Sequence, residues 1–224
     1  MTMRLPFAPL PLLLFVFVLG FLAAVVQIGV LTIAFDKLGL SAASAFALLL
    51  ASLLGSAVNL PLFTVSAERP ATEVVPPSLR RLLRVPARAF TGRTVIAVNV
   101  GGCLIPIAFS AYLLGHNPLP LLQVLTAVAG VAAISRLVSR QIPGLGIGMP
   151  MFVAPIGAAL ISMALNADAS APLAYISGTL GVLIGADLLR LNDMRRFGTP
   201  FASIGGAGTF DGIFLTGIVA VLLA

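Results

Sequence analysis

The sequence is poor in the residue types on which soluble proteins rely for their surface and their chemistry. It contains no tryptophan, one cysteine and one histidine, and only 9% of its 224 residues are charged. The single cysteine, Cys103, excludes a disulfide within the chain and a metal site built from several cysteines. A soluble domain of this length carries far more charge. The sequence therefore indicates an integral membrane protein.

Apolar residues take the place of the missing charge. They make up 59% of the chain, and the mean hydropathy is +1.13. They form long continuous runs, which predict transmembrane helices. The net charge of +6 indicates membrane topology rather than a nucleic-acid partner, because the basic residues cluster between the runs. We expect an all-α fold, a polytopic transmembrane helix bundle surrounded by the lipid bilayer.

Apolar runs of a length suited to membrane crossing recur along the whole chain. A helix needs about 20 apolar residues to cross a bilayer core. The runs lie near 10–35, 42–65, 94–114, 119–139, 149–165, 172–189 and 205–224. They predict seven spans in a single domain of residues 1–224, with a basic cytoplasmic loop at 66–93. The first run is longer than the core of a signal peptide, which favours a retained span over a cleaved one.

The basic residues predict the orientation of these spans. Every lysine and arginine except Lys37 falls in alternate connections. Because positively charged connections stay in the cytoplasm, we expect the N-terminus inside and the C-terminus outside the inner membrane. In the loop at 66–93, the segment Ser78–Arg84 sets leucines at helical spacing against arginines. This segment is either a short helix on the anionic inner leaflet or a solvated loop.

Several polar and glycine-rich segments interrupt the apolar runs. Asn59-Leu-Pro61 is expected to kink the second span, and Asn99-Val-Gly-Gly102 to loosen the third. The glycine-rich segment at 144–150 predicts a re-entrant or broken stretch before the fifth span. We expect Asn59 and Asn99 to form hydrogen bonds between helices rather than to bind a ligand.

Two aspartates, Asp187 and Asp211, lie inside apolar runs near the C-terminal end of the sequence. A carboxylate is costly in a bilayer, so each is a candidate functional residue. Counting about 20 residues along each span places Asp211 about 9 Å and Asp187 about 6 Å below the cytoplasmic surface. Consecutive elements are usually neighbours in space. The sequence therefore predicts two carboxylates of similar depth on adjacent antiparallel helices.

Such a pair has a defined chemistry. Two carboxyl groups a few ångströms apart in a low dielectric share a proton, so that one acts as a base on water and the other as an acid toward a carbonyl oxygen. This arrangement needs no metal or cofactor. Gly205, Gly206, Gly208 and Gly212 would let a substrate backbone approach closely. The same pair could instead bind and release a proton or cation in a carrier.

Structural roles for the two aspartates stay open. Asp187 could form an ion pair with Arg190, one helical turn away. Asp211 could be an acid favoured by the dipole of a helix N-terminus. Asp168 and Asp193 lie in loops, and we assign them no chemistry.

Residues 142–224 resemble an uncharacterised family of bacterial and archaeal membrane proteins. The resemblance rests on Gly144-Leu-Gly-Ile-Gly148, Ile184-Gly-Ala-Asp187-Leu188 and the segment at 203–214, which reads Ser-Ile-Gly-Gly-Ala-Gly-Thr-Phe-Asp-Gly-Ile-Phe. The resemblance implies no established activity.

A looser resemblance links the chain to the presenilin-type intramembrane aspartyl proteases. Their aspartates lie in the sixth and seventh spans across a cytoplasmic loop, as Asp187 and Asp211 are expected to do. The family has Tyr where this chain has Ala186, and Gly-x-Gly where it has Gly208-Thr-Phe210. The resemblance implies a protease that cleaves a transmembrane helical substrate near the cytoplasmic face. A proton- or cation-coupled small-solute transporter and a non-catalytic membrane assembly protein are the alternatives.

Overall fold

The structure is a computed structural model that describes residues 29–67, 92–142, 146–191, 201–206 and 210–224. Most of these residues are helical. The helices are α1 (Gly29–Lys37), α2 (Ala42–Ser56), α3 (Ile105–His116), α4 (Leu121–Val138), α5 (Val153–Leu165), α6 (Ser170–Val182) and α7 (Phe210–Leu223). The strands are β1 (Asn59–Ser66), β2 (Arg93–Asn99), β3 (Arg140–Ile142), β4 (Gly146–Gly148) and β5 (Phe201–Ile204). Most of the first predicted span and of the basic loop lies outside the described residues.

The central helix of the bundle is α6, which is buried along nearly its whole length and packs against α3, α4, α5 and α7. Small residues make this close packing feasible. A Cβ atom added to Gly181 would lie 2.6 Å from the Cβ of Val131. A Cβ atom on Gly185 would overlap the carbonyl oxygen of Ala132. The glycines of α6 therefore bring the backbones of α4 and α6 into contact.

The central helix continues past its regular part. A π-helical turn (Leu183–Asp187) and a 3-10 turn (Leu188–Arg190) follow α6. The continuous helix Ser170–Arg190 has 21 residues, and at 1.5 Å per residue it is about 31 Å long. Single π-turns inside helices are frequent at functional sites. This turn ends at one of the two predicted aspartates.

The bundle has two chemically different ends. At one end, called the turn end, short connections join α1 to α2, α3 to α4, and α5 to α6. There the Lys37 ammonium donates to the carbonyl oxygens of Val221 (3.3 Å) and Leu222 (3.4 Å), and the Ser170 hydroxyl donates to that of Ala224 (2.9 Å). The β-strands lie at the other end, called the sheet end. Polar contacts thus close the end of α7 at the turn end.

Three strands form a small sheet in the order β1-β2-β5. β1 pairs antiparallel with β2, so that Asn59 lies opposite Asn99. β5 pairs parallel with β2, and Ile204 lies opposite Val98. The sheet therefore brings together the C-terminal end of α2, the segment before α3 and the segment before α7. A separate β3–β4 hairpin takes up part of the segment at 144–150, where a re-entrant or broken stretch was expected.

The expected helical spans at 42–65 and 94–114 are wrong in the parts that form β1 and β2. Pro61 lacks a backbone N–H, and the residue before a proline avoids the helical conformation. Four of the seven residues of β2 are β-branched, which favours a strand. A continuous apolar run cannot by itself distinguish a buried strand from a helix. The fold is therefore mostly helical with small sheets, and not all-α.

Two helices among the described residues are long and apolar enough to cross a membrane, namely α4 and the continuous helix Ser170–Arg190. A third span results if α1 and α2, which meet at 106°, are counted as one broken span. Val100–His116, formed by a π-turn and α3, is apolar but shorter, as is α5. Helices occupy the predicted runs at 119–139, 172–189 and 205–224. These helices suggest a membrane protein by their length and composition.

Candidate active site at the sheet end

Asp187 is buried at the sheet end of the central helix. It is the last residue of the π-turn, and only 1% of its surface is exposed. Its carboxylate oxygen Oδ2 accepts a hydrogen bond of 2.8 Å from the backbone N–H of Gly205. A buried carboxylate requires such donors, and hydrogen bonds to a charged acceptor are stronger than neutral ones. The loop that supplies this donor leads from β5 into α7.

The Gly205 N–H is aimed at Asp187 by an unusual backbone conformation. Gly205 follows β5 and has a φ of +68°, in the left-handed region that favours glycine. A Cβ atom at this position would lie 2.6 Å from the carbonyl oxygen of Gly102 and 2.9 Å from the Cβ of Cys103. Both the conformation and the space therefore require glycine. The turn at Gly205 is packed directly against the π-helical segment Val100–Leu104.

The other predicted glycines stand in different positions. Gly206 is buried, and a Cβ atom on it would lie 2.5 Å from the Cβ of Ser203. Gly208 lies outside the described residues, and Gly212 lies in the first turn of α7. At Gly205 and Gly206 the protein's own atoms fill the space that a side chain would need. Their predicted role in binding a substrate backbone stays a prediction.

Asp211 is the second residue of α7, and the structure does not describe its side chain. The neighbourhood of the two helices is confirmed, because α6 and α7 pack together. They run antiparallel: a Cβ atom on Gly178 would lie 3.2 Å from Thr216, and one on Gly217 would lie 2.9 Å from Tyr175. The pairing of the two carboxylates stays a prediction.

The comparison with protein families matches most of this chain. A family model described as "Protein of unknown function (DUF1614)" matches residues 53–223. The chain belongs to the DUF1614 family. No curated protein and no solved structure matches it. The uncharacterised family expected from the sequence is thereby confirmed, whereas the presenilin resemblance is not shown. The DUF1614 match includes the three-stranded sheet and both aspartates.

Arg190 fixes the end of the central helix in this DUF1614 protein. Its Nε donates to the Ser139 hydroxyl (2.8 Å), and its Nη2 donates to the carbonyl oxygens of Arg136 (2.9 Å) and Ser139 (2.5 Å). These acceptors lie at the C-terminal end of α4, where a cation also interacts favourably with the helix dipole. Arg190 thus ties the segment that carries Asp187 to α4.

Three polar residues of the DUF1614 site were not predicted in their observed role. Asn59, Asn99 and Ser203 connect the strands of the sheet, whereas the two asparagines were expected to bond between helices. The Asn99 side chain accepts from the Gly102 N–H at 2.7 Å and so caps the π-turn. The sequence carries a signal for this cap, since asparagine favours a helix start that has a free N–H three residues later. Ser203 has no comparable signal.

Metal ligands do not cluster in the described part of the chain. Among residues 29–67, 92–142, 146–191, 201–206 and 210–224, no three His, Cys, Asp or Glu side chains come together. The described part of the site consists of one buried carboxylate, its glycine donor and the polar groups of the neighbouring strands.

Proposed function

We propose that this protein is an intramembrane aspartyl protease whose catalytic pair is Asp187 and Asp211. One observation carries the proposal: the buried Asp187 carboxylate binds the backbone of the loop that leads directly into the helix of Asp211. The central helix and α7 are antiparallel neighbours, as a pair of facing carboxylates requires.

The packing of α6 against α7 gives the approximate register of the two helices. If the two contacts at Gly178 and Gly217 continue regularly toward the sheet end, Asp211 is level with Val182. Five residues then separate this level from Asp187, or roughly 7 Å along the helix axis. The short axial distance between the two backbone positions supports the proposed pairing.

The proposed reaction needs no group beyond the pair and water. In a low dielectric, two adjacent carboxyl groups hold one proton between them. The ionised group removes a proton from water as the water oxygen bonds to the peptide carbonyl carbon, and the protonated group donates to the carbonyl oxygen. The C–N bond of the resulting gem-diol then breaks. The group that took the water proton gives it to the leaving nitrogen, and the other group takes a hydroxyl proton, which yields an acid, an amine and the starting pair. The Gly205 N–H donates to the Asp187 carboxyl group. We propose that one carboxyl group of the pair acts as the base and the other as the acid.

The charge distribution supports a cytoplasmic sheet end. Arg93, Arg136, Arg140 and Arg190 lie at the sheet end, whereas Lys37 lies at the turn end. Positively charged segments stay on the cytoplasmic side. We propose seven crossings of the inner membrane, with the catalytic pair near the cytoplasmic face and a transmembrane helix as substrate.

The decisive experiment compares acidic residues at the two ends. Full-length protein in liposomes is incubated with a panel of single-span peptides that carry a dye and a quencher. We expect Asp187→Asn and Asp211→Asn each to abolish cleavage, and Asp168→Asn at the exposed turn end to leave it unchanged. Undiminished cleavage in either of the first two variants would sink the proposal.

A cross-linking experiment tests the pairing without an activity assay. In a Cys103→Ser background the chain has no cysteine, so that Asp187→Cys and Asp211→Cys introduce the only thiols. We expect a short thiol-specific cross-linker to join these two positions rapidly. The control pair, Asp168→Cys with Asp211→Cys, spans the bundle and should not react. Failure of the first pair to cross-link would show that the two positions do not face each other.

A specific observation favours a second candidate, a proton- or cation-coupled carrier. Ser162, Ser177 and Thr216 are fully buried on α5, α6 and α7, and the first two hydroxyls are 3.3 Å apart. Among the described residues, the Thr216 hydroxyl has no hydrogen-bond partner. Buried hydroxyls usually form hydrogen bonds between helices, and a hydroxyl without a protein partner is free to bind water or an ion. Acidification of liposomes loaded with a pH-sensitive dye, lost in Thr216→Val, would favour the carrier over the protease.

A further inference from the structure

A polar cluster joins the three strands directly beneath the Asp187 site. It consists of Asn59, Asn99 and Ser203 and is called the strand-end cluster below. The Asn99 amide donates to the Ser56 carbonyl oxygen (2.7 Å) and to Asn59 Oδ1 (3.1 Å). The Ser203 hydroxyl donates to the same Asn59 oxygen at 2.5 Å. One oxygen atom of Asn59 thus links β2 and β5.

Asn99 is the central member of the strand-end cluster. Its side chain is 2% exposed, and both of its polar atoms are bonded, because Oδ1 accepts from the Gly102 N–H at 2.7 Å. A buried amide whose partners are all protein atoms specifies one geometry, since losing any contact leaves a buried polar group unsatisfied. Asn99 therefore fixes the end of β2 to the end of α2 and to the π-turn.

The strand-end cluster holds both sides of the Gly205 turn. On one side, Ser203 anchors β5 two residues before Gly205. On the other side, Asn99 accepts from the Gly102 N–H, and the Gly102 carbonyl oxygen fills the space that a Cβ atom on Gly205 would need. The turn has no freedom to shift without moving one of these anchors. Its N–H is the described donor to Asp187.

We propose that Asn59, Asn99 and Ser203 are positioning residues that hold the Gly205 N–H on the Asp187 carboxylate. They act through the turn and contact neither substrate nor reacting atoms. The inference rests on the proposed function only for the claim that Asp187 is catalytic. The geometric part concerns the turn itself and can be measured in an inactive protein.

The chain contains its own reporter for this turn. Cys103 is its one cysteine, is buried, and lies against Gly205. A displaced turn exposes this thiol, so that its reaction with a maleimide reports local opening. The chain also offers a matched control at the turn end. Asn166 accepts from the Ala169 N–H (3.0 Å) and donates to Gln123 (3.0 Å), just as Asn99 accepts from the Gly102 N–H and donates to Asn59.

The experiment measures the maleimide labelling rate of Cys103 in the full chain in liposomes. Loss of one buried hydrogen bond shifts a local opening equilibrium about tenfold. We expect Asn99→Ala to accelerate labelling about tenfold. Ser203→Ala should accelerate it about threefold, because the Ser203–Asn59 hydrogen bond is exposed. Asn166→Ala should leave the rate within about twofold, because it loosens only the turn end. Ser203→Thr keeps the hydroxyl and should restore the slow rate.

Ser203→Ala is the milder variant and serves if Asn99→Ala does not fold. Equal labelling in Ser203→Ala, Asn166→Ala and the unaltered protein would overturn the positioning role. Cleavage assays then separate this result from the proposed function. Where the unaltered protein cleaves, the positioning variants should lower kcat and leave KM unchanged. If it cleaves nothing while the labelling pattern holds, the protease proposal fails and the positioning of the turn stands.

Discussion

At each end of the bundle, an asparagine side chain accepts from the backbone N–H three residues later. At the turn end, Asn166 accepts from the Ala169 N–H and donates to the side chain of Gln123, both at 3.0 Å. At the sheet end, Asn99 accepts from the Gly102 N–H at 2.7 Å and donates to Asn59 at 3.1 Å. The two devices use the same chemistry. They differ in the groups that surround them.

At the turn end, polar side chains form hydrogen bonds with helix termini. Lys37 and Ser170 bind the last carbonyl oxygens of α7, beside a cleft of about 510 Å³ that they help to line. At the sheet end, the corresponding groups surround a buried carboxylate and the turn that binds it. The turn end therefore satisfies backbone groups that any helix leaves open. The sheet end instead surrounds a buried carboxylate, which is not a backbone group of a helix terminus.

Substitution of helix glycines is expected to give the largest difference in stability. A Cβ atom on Gly185, next to Asp187, would overlap the Ala132 carbonyl oxygen, whereas Gly115 in α3 has no atom within 4 Å of an added Cβ. We expect Gly185→Ala to destabilise the protein by about 3 kcal/mol, because backbone atoms must move apart. Gly115→Ala should stabilise it by up to about 1 kcal/mol through helix propensity. Thermal unfolding in detergent micelles measures both, and equal melting temperatures would contradict the packing of α4 against α6.

Two turn glycines allow the effect of backbone strain on stability to be distinguished from the effect of a steric clash. Gly205 and Gly39 have nearly the same positive φ, +68° and +71°, but an added Cβ meets Gly102 at the first position and nothing at the second. Strain costs each alanine variant about 1 kcal/mol, and the contact at Gly205 adds about 1 kcal/mol or more. We expect Gly205→Ala to be the less stable variant and to label faster at Cys103. Similar unfolding free energies for both would show that the turn has room to move.

The sequence predicts the helices of the bundle better than the site. Hydropathy located α4, α6 and α7 because they lie within apolar runs. It failed at 59–65 and 94–99, where the runs are equally apolar but contain Pro61 or several β-branched residues. These local preferences decide between strand and helix, and a hydropathy count does not include them.

The candidate site was predictable in composition and not in geometry. The cost of a buried carboxylate pointed to Asp187 from sequence alone. Its bond to Gly205 depends on a positive φ and on the pairing of β5 with β2, which are set by contacts distant in sequence. The role of Asn99 was missed for the same reason, since its partners Ser56 and Asn59 lie about 40 residues away, at sequence separations of 43 and 40.

The capping cations give a further expected difference between the two ends. Arg190 donates three hydrogen bonds of 2.5 to 2.9 Å at the end of α4, whereas Lys37 donates two of 3.3 and 3.4 Å at the end of α7. Loss of short charged hydrogen bonds costs about 2 kcal/mol, and loss of a long, exposed cap about 0.5 kcal/mol. We therefore expect Arg190→Met to lower the unfolding free energy more than Lys37→Met does.

Conservative variants identify the cause of that difference. Arg190→Lys keeps the charge but loses the planar fork that reaches Ser139 and the Arg136 carbonyl oxygen together. If geometry dominates, this variant should be nearly as unstable as Arg190→Met. Lys37→Arg should match the unaltered protein, because a single exposed charge near two carbonyl oxygens does not demand a fork. Full stability of Arg190→Lys would instead assign the effect to the helix dipole, and the two ends would then differ in burial alone.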